Sequence, residues 1–103
     1  MLKVVSLLKR REDLPLEQFR HWALEEHPQK GKKLPGIRHY RMSVVLEDGP
    51  ELPFHAVSEF WFDDNDARLA AFATPEGKAA AEDAASHCAS RVHLLTEEKI
   101  IIE

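Results

Sequence analysis

The 103-residue chain is poor in several things at once. It has one cysteine, four glycines and no apolar run near the ~20 residues that cross a bilayer. The lone Cys88 excludes an intrachain disulfide, and with no CxxC or other ligand-spaced pair a structural zinc site has no basis. Positive charge is also scarce: 14 Lys and Arg against 18 Asp and Glu leave a net charge of -4. A nucleic-acid partner would need a concentrated positive surface to neutralise phosphates. The basic clusters Lys9-Arg10-Arg11 and Lys30, Lys32, Lys33 follow a strand and close a helix, where they read as solvated surface. The apolar start, residues 1–8, is too short for a secretory signal and lacks a small-residue cleavage site. The expected setting is the cytoplasm, with neither membrane nor nucleic acid as partner.

Motifs for bound cofactors are missing as well. Gly31-Lys32 and Gly77-Lys78 lack the glycine of a phosphate loop, and neither GxGxxG nor GxSxG occurs. Asp63-Asp64-Asn65-Asp66 lacks the glycine and terminal glutamate of a calcium loop. Six histidines are present, but none share HxH or HxxxH spacing. No metal or other cofactor is expected.

What remains is the signature of one packed domain spanning residues 1–103. Apolar residues make up 44% and charged residues 31%, an ordinary balance for a folded protein. Leu2 to Lys9 reads as a strand. Pro15 and Glu17 then suit the first turn of a helix. Leu16, Phe19, Ala23 and His27 recur at spacings of three, four and four, so they share one stripe that should face a sheet. Leu34-Pro35-Gly36 stops that helix. Ile37 to Glu47 and Phe54 to Phe62 are strands joined by a loop of turn formers. Asp63 to Asp66 cap a helix over residues 67–73, and Thr74-Pro75 restart it through about residue 85. Arg91 to Ile102 closes the chain as a fourth strand.

The order βαββαβ predicts an α+β, ferredoxin-like fold, a four-stranded antiparallel sheet with strand three between the parallel strands one and two. Helices would cover one face. Yet Tyr40, Met42, Val44 and Leu46 alternate with Ile37 and Val45, and Phe60 and Phe62 with Val57 and Trp61, so both faces carry apolar groups. An uncovered apolar sheet face usually marks an interface, and face-to-face homodimerisation is the simplest way to cover it.

His27 is the chemical candidate, because it occupies a sheet-facing place that an aliphatic residue would take by default. A histidine there is either a satisfied core group or a proton carrier suited to neutral pH. Glu26 points elsewhere. His21 reads as solvent-facing, His87 and His93 as surface or packing groups, and His39 and His55 as strand residues of unassigned face.

Leu7-Leu8-Lys9-Arg10-Arg11, Leu16-Glu17-Gln18-Phe19-Arg20-x-Trp22, His27 and Leu34-Pro35-Gly36-Ile37-x-x-Tyr40 together resemble the EthD family, as does the segment from Thr74 to Asp83. The resemblance implies a dimeric α/β barrel with a pocket between each sheet and its helices. The family is named for a protein linked to ethyl tert-butyl ether degradation, and includes a methylmuconolactone isomerase and fungal polyketide-tailoring decarboxylases that work without metal or organic cofactor. A histidine late in the first helix and a tyrosine early in the second strand line the pocket in the isomerase-like members, and His27 and Tyr40 fall on those positions. Phe19, Trp22 and Phe60 would be its apolar walls. The implied activity is cofactor-independent isomerase or lyase chemistry on a small carbonyl or lactone compound in catabolism or tailoring. The alternatives are a non-catalytic accessory or ligand-binding protein of a degradation operon, and a cofactor-free monooxygenase.

Overall fold

The computed structural model describes residues 1–49 and 51–103. Its strands are β1 (Leu2–Arg10), β2 (His39–Val44), β3 (Ala56–Phe62) and β4 (Cys88–Glu97). They form one antiparallel sheet in the order β2-β3-β1-β4. The helical segments are α1 (Leu16–His21), a π-helical turn (Trp22–Glu26), α2 (His27–Gly31), α3 (Asn65–Phe72) and α4 (Pro75–His87). This is the expected α+β ferredoxin-like topology.

Element ends differ from expectation where turn chemistry outranks apolar content. β2 starts two residues after Ile37, because Gly36 turns the chain with φ +80°, a conformation that L side chains resist. Ile37 therefore escapes strand alternation and packs on the helix side of the sheet, with Leu34 and Phe62, and not on the opposite face. His55 lies just before β3. β4 begins earlier than expected, at Cys88, and stops at Glu97, leaving Ile100, Ile101 and Ile102 exposed beyond it.

Side-chain caps open both α3 and α4, the second of them at the corner between the helices. The Asp64 carboxylate accepts the Ala67 N–H at 2.8 Å, and the Thr74 hydroxyl oxygen accepts the Gly77 N–H at 3.1 Å. The two helices meet so closely that a Cβ on Gly77 would run into the backbone of Ala71 and Phe72.

The helix-facing rows of the two central strands are Val4, Ser6 and Leu8 on β1, and Ala56, Ser58, Phe60 and Phe62 on β3. Ser6 and Ser58 are direct partners across the strands and both are buried. They divide the core. On one side Leu8, Phe19, Trp22, Ala23, Ala56 and Ala84 pack together; on the other, Val4, Leu34, Phe60, Phe62 and Ala71 do. Small residues of α4, Ala80 and Ala84, stand over the gap. Close packing thus fails at the centre by composition, and a cavity of about 330 Å³ fills the space.

The other face bears Val92 and Leu94, 39% and 45% exposed. Trp61 also lies there, but it is covered by the cationic ends of Lys3 and Arg41, each 5.1 Å from its ring centre.

The tight corner makes a direct prediction. Gly77→Ala should lower stability by about 1–3 kcal/mol through overpacking, read as a drop in the midpoint of thermal or urea unfolding. An unchanged midpoint would show that α3 and α4 can move apart freely.

Candidate active site

The first helix does not run as a simple α-helix. Pro28 has no N–H to give to the Leu24 carbonyl, and its ring would crowd that oxygen. The chain widens just before it: the His27 N–H donates to the Trp22 carbonyl five residues back, and Trp22–Glu26 form a π turn. In an α-helix residues five apart diverge by about 140° around the axis. The wider turn brings Trp22 and His27 onto one face, with ring centres 4.8 Å apart.

Both side chains then reach the same oxygen. Trp22 Nε1 donates to Asp83 Oδ2 at 3.0 Å, and His27 Nδ1 lies 2.8 Å from that oxygen. Asp83 comes from α4, whose other contacts hold it in place: Lys30 Nζ is 3.7 Å from Oδ1, and His87 stacks on Trp22 at 4.4 Å with rings 10° from parallel. A carboxylate only accepts, so the His27 proton resides on Nδ1. Nε2 keeps its lone pair and has no hydrogen-bond partner among the described residues.

Electrostatics agrees with a neutral ring. Burial pushes His27 below its ordinary value of 6.5; the Asp83 hydrogen bond and charge oppose this without overcoming it, and His87 and Lys30 add to the depression. Burial would by itself raise the Asp83 carboxyl, but the bonds from His27 and Trp22 prevail and hold it below the ordinary carboxylate range. At neutral pH the pair is therefore imidazole and carboxylate.

His27 and Tyr40 both line the central cavity. The Tyr40 ring lies against Gly31, where a Cβ would come within 2.8 Å of it. Its hydroxyl is buried without a hydrogen-bond partner among the described residues. Burial, and secondarily the Asp83 charge, push the phenol up to about 12, so it stays protonated and able to donate. Phe60 also lines the cavity. Phe19 and Trp22, expected as further walls, are not among its lining residues. They are buried in the neighbouring core cluster, and Trp22 reaches the site through its indole N–H instead. The histidine stripe carries no sign of this, because a π turn rotates Trp22 relative to the α-helical register.

A reading of the sequence does not single out Asp83 as a site residue. Its signal is present but faint: one acid beside the Ala80, Ala84 and His87 positions of a helix whose stripe is otherwise small residues. Arg68, Arg91 and His93 also line the cavity. His93 bonds through Nδ1 to Ser6 Oγ at 2.7 Å. His87 serves as packing on Trp22, and His21 is exposed.

Three histidines, His27, His55 and His93, are all depressed, in each case mainly by burial. For the two buried ones, His27 and His55, folded-state values below the unfolded 6.5 mean that the stability linked to the neutral ring is present above pH 6.5 and lost as pH falls through and below it. Unfolding midpoints should accordingly fall between pH 7 and 5, before carboxylate protonation begins, and His27→Gln should make the fall shallower. A flat profile to pH 5 would contradict the burial of neutral imidazoles.

Comparison with known proteins supplies the family. The EthD domain model matches residues 11–88. A solved EthD family protein from Bacillus halodurans is 26% identical, with 96% of this chain and 99% of that chain covered at a TM-score of 0.80. A dimeric ferredoxin-like protein of unknown function from Thermobifida fusca shares the fold at 15% identity, covering 92% and 88% of the two chains with a TM-score of 0.74. So does a cofactor-independent oxygenase from Streptomyces nogalater, solved as a point mutant, at 16% identity, 99% and 97% coverage and a TM-score of 0.67. No protein of curated function matches. With the family model spanning most of the sequence and the fold agreeing throughout, the chain belongs to the EthD domain family.

Proposed function

We propose that the protein is a small cofactor-independent isomerase or lyase that moves a proton on a carbon acid next to a carbonyl or lactone, and that it works as a homodimer. The observation that carries this reading is the pairing, in one apolar cavity, of a neutral histidine whose Nδ1–H is committed to Asp83 with a buried, unpartnered phenol.

His27 Nε2 would take the proton from the carbon, and the Tyr40 O–H would donate to the oxygen on which charge develops. The resulting imidazolium would lie 2.8 Å from the Asp83 carboxylate, which stabilises it and keeps the ring in register. Returning the proton to a different carbon completes an isomerisation; in a lyase reaction the enolate expels a leaving group and His27 passes its proton to that group, which restores the neutral imidazole. The homodimer is supported by the exposed Val92 and Leu94 on the open sheet face and by the dimeric relative of the same fold.

A second reading, cofactor-free oxygenation, draws support from the Streptomyces nogalater oxygenase. There the same base would deprotonate a quinol or anthrone, and the carbanion would react with dioxygen. Oxygen uptake separates the two.

The test is deuterium wash-in from D2O into a panel of small ketones and lactones, followed by proton NMR. Wild-type protein should catalyse exchange next to the carbonyl. His27→Gln should slow it by about 10²–10⁴-fold, and Tyr40→Phe by about 10²-fold. The rate should rise with pH through an ionisation below 6.5 and then level off, since the neutral ring is the active form. Exchange that is indifferent to His27→Gln, in a folded variant, would favour the accessory or ligand-binding role.

A further inference from the structure

The acid/base reading uses one side of the cavity and leaves charge on the other. Tyr40 stands on β2 at one edge of the sheet, whereas Arg91 and His93 stand on β4 at the opposite edge, with Ser58 and Ser6 on the strands between. Arg91 and His93 alternate along β4 opposite Leu8 and Ser6, so both face the helix side. Arg68 descends from α3 to the same cavity.

Neither arginine has a carboxylate within salt-bridge distance among the described residues. Arg91 Nη1 donates at 3.3 Å to the Ala81 carbonyl, and Arg68 Nε at 2.8 Å to Asn65 Oδ1, which leaves most of both guanidinium forks unused. His93 is held by Ser6 through Nδ1, so Nε2 is its free nitrogen. Desolvation first, and then the charges of Arg91 and Arg68, depress His93, which nevertheless keeps part of its surface exposed. Two half-buried guanidinium groups without a carboxylate partner among the described residues thus stand on one side of the cavity, and a planar fork matches a carboxylate.

We propose that the Arg68, Arg91 and His93 end of the cavity is a subsite for a substrate carboxylate, so that the molecule handled is a small organic acid with an apolar body. The placing of its reacting carbon by His27 and Tyr40 rests on the proposed function; the carboxylate subsite does not. Val4, Phe60 and Phe72 would pack on the apolar middle.

Calorimetric titration with 2-naphthylacetate and its neutral isostere 2-naphthylacetamide tests this on the full chain. Wild-type protein should bind the acid at least about tenfold more tightly than the amide. Arg91→Gln should reduce that preference, the Arg68→Gln/Arg91→Gln pair should abolish it with amide affinity unchanged, and Arg91→Lys should retain part of it. Circular dichroism checks folding, and the single Arg91 variants decide the matter if the pair does not fold. Equal affinities, no binding of the acid, or a preference that survives Arg91→Gln undiminished would overturn the subsite. His27→Gln should keep the preference for the acid. If it does, while deuterium exchange proves indifferent to His27, the acid/base reading fails and the subsite stands.

Discussion

One carboxylate oxygen organises the site. Asp83 Oδ2, on α4, gathers the Trp22 indole N–H and the His27 ring N–H, two donors that an α-helix would turn away from each other. The meeting requires the π turn, the π turn answers to Pro28, and the result is a histidine of fixed tautomer. Hydrogen bonds to charged groups contribute about 1.5–3 kcal/mol each, enough to offset the desolvation of the acid and to bind the first helix to α4. His87 closes the arrangement from outside by stacking on Trp22.

The cavity beneath has an equally simple origin. Ser6 and Ser58 meet at the centre of the sheet, and alanines stand above them on α4. Large side chains fill the core on both sides of this gap, with Phe19 and Trp22 on one and Phe60 and Phe62 on the other. Filling the gap with aliphatic residues would recover packing energy, so the chain forgoes stability at its centre. The polar groups around the space are sorted by element: base and phenol on the α2 and β2 side, guanidinium groups and His93 on the α3 and β4 side.

Much of the fold is legible from residues 1–103. Alternation in β1 and β3, the Thr74-Pro75 restart and the βαββαβ order lead directly to the sheet. Ends are less so, since Gly36 overrides the apolar run at Ile37 and the isoleucines after Glu97 carry strand-forming side chains without a strand partner among the described residues. His27 stands out because a 3-4-4 stripe admits few polar residues. Trp22 does not belong to the pocket wall where the sequence suggests it, because periodicity assumes a constant turn and only Pro28 hints that the turn changes. Asp83 belongs to a helix rich in alanine, where no pattern singles out one acid among several. Its partners lie 56 and 61 positions away in sequence, a distance that only the folded chain closes.

The account stands on the protonation of one ring. Nitrogen NMR of the protein labelled in its histidines reads that state directly at pH 7. His27 should appear as the Nδ1–H tautomer, with an unprotonated Nε2, and Asp83→Asn should abolish that preference while leaving His21 unchanged. A His27 protonated on Nε2, or on both nitrogens, would contradict the central claim that Asp83 holds a neutral base with its lone pair free for the cavity.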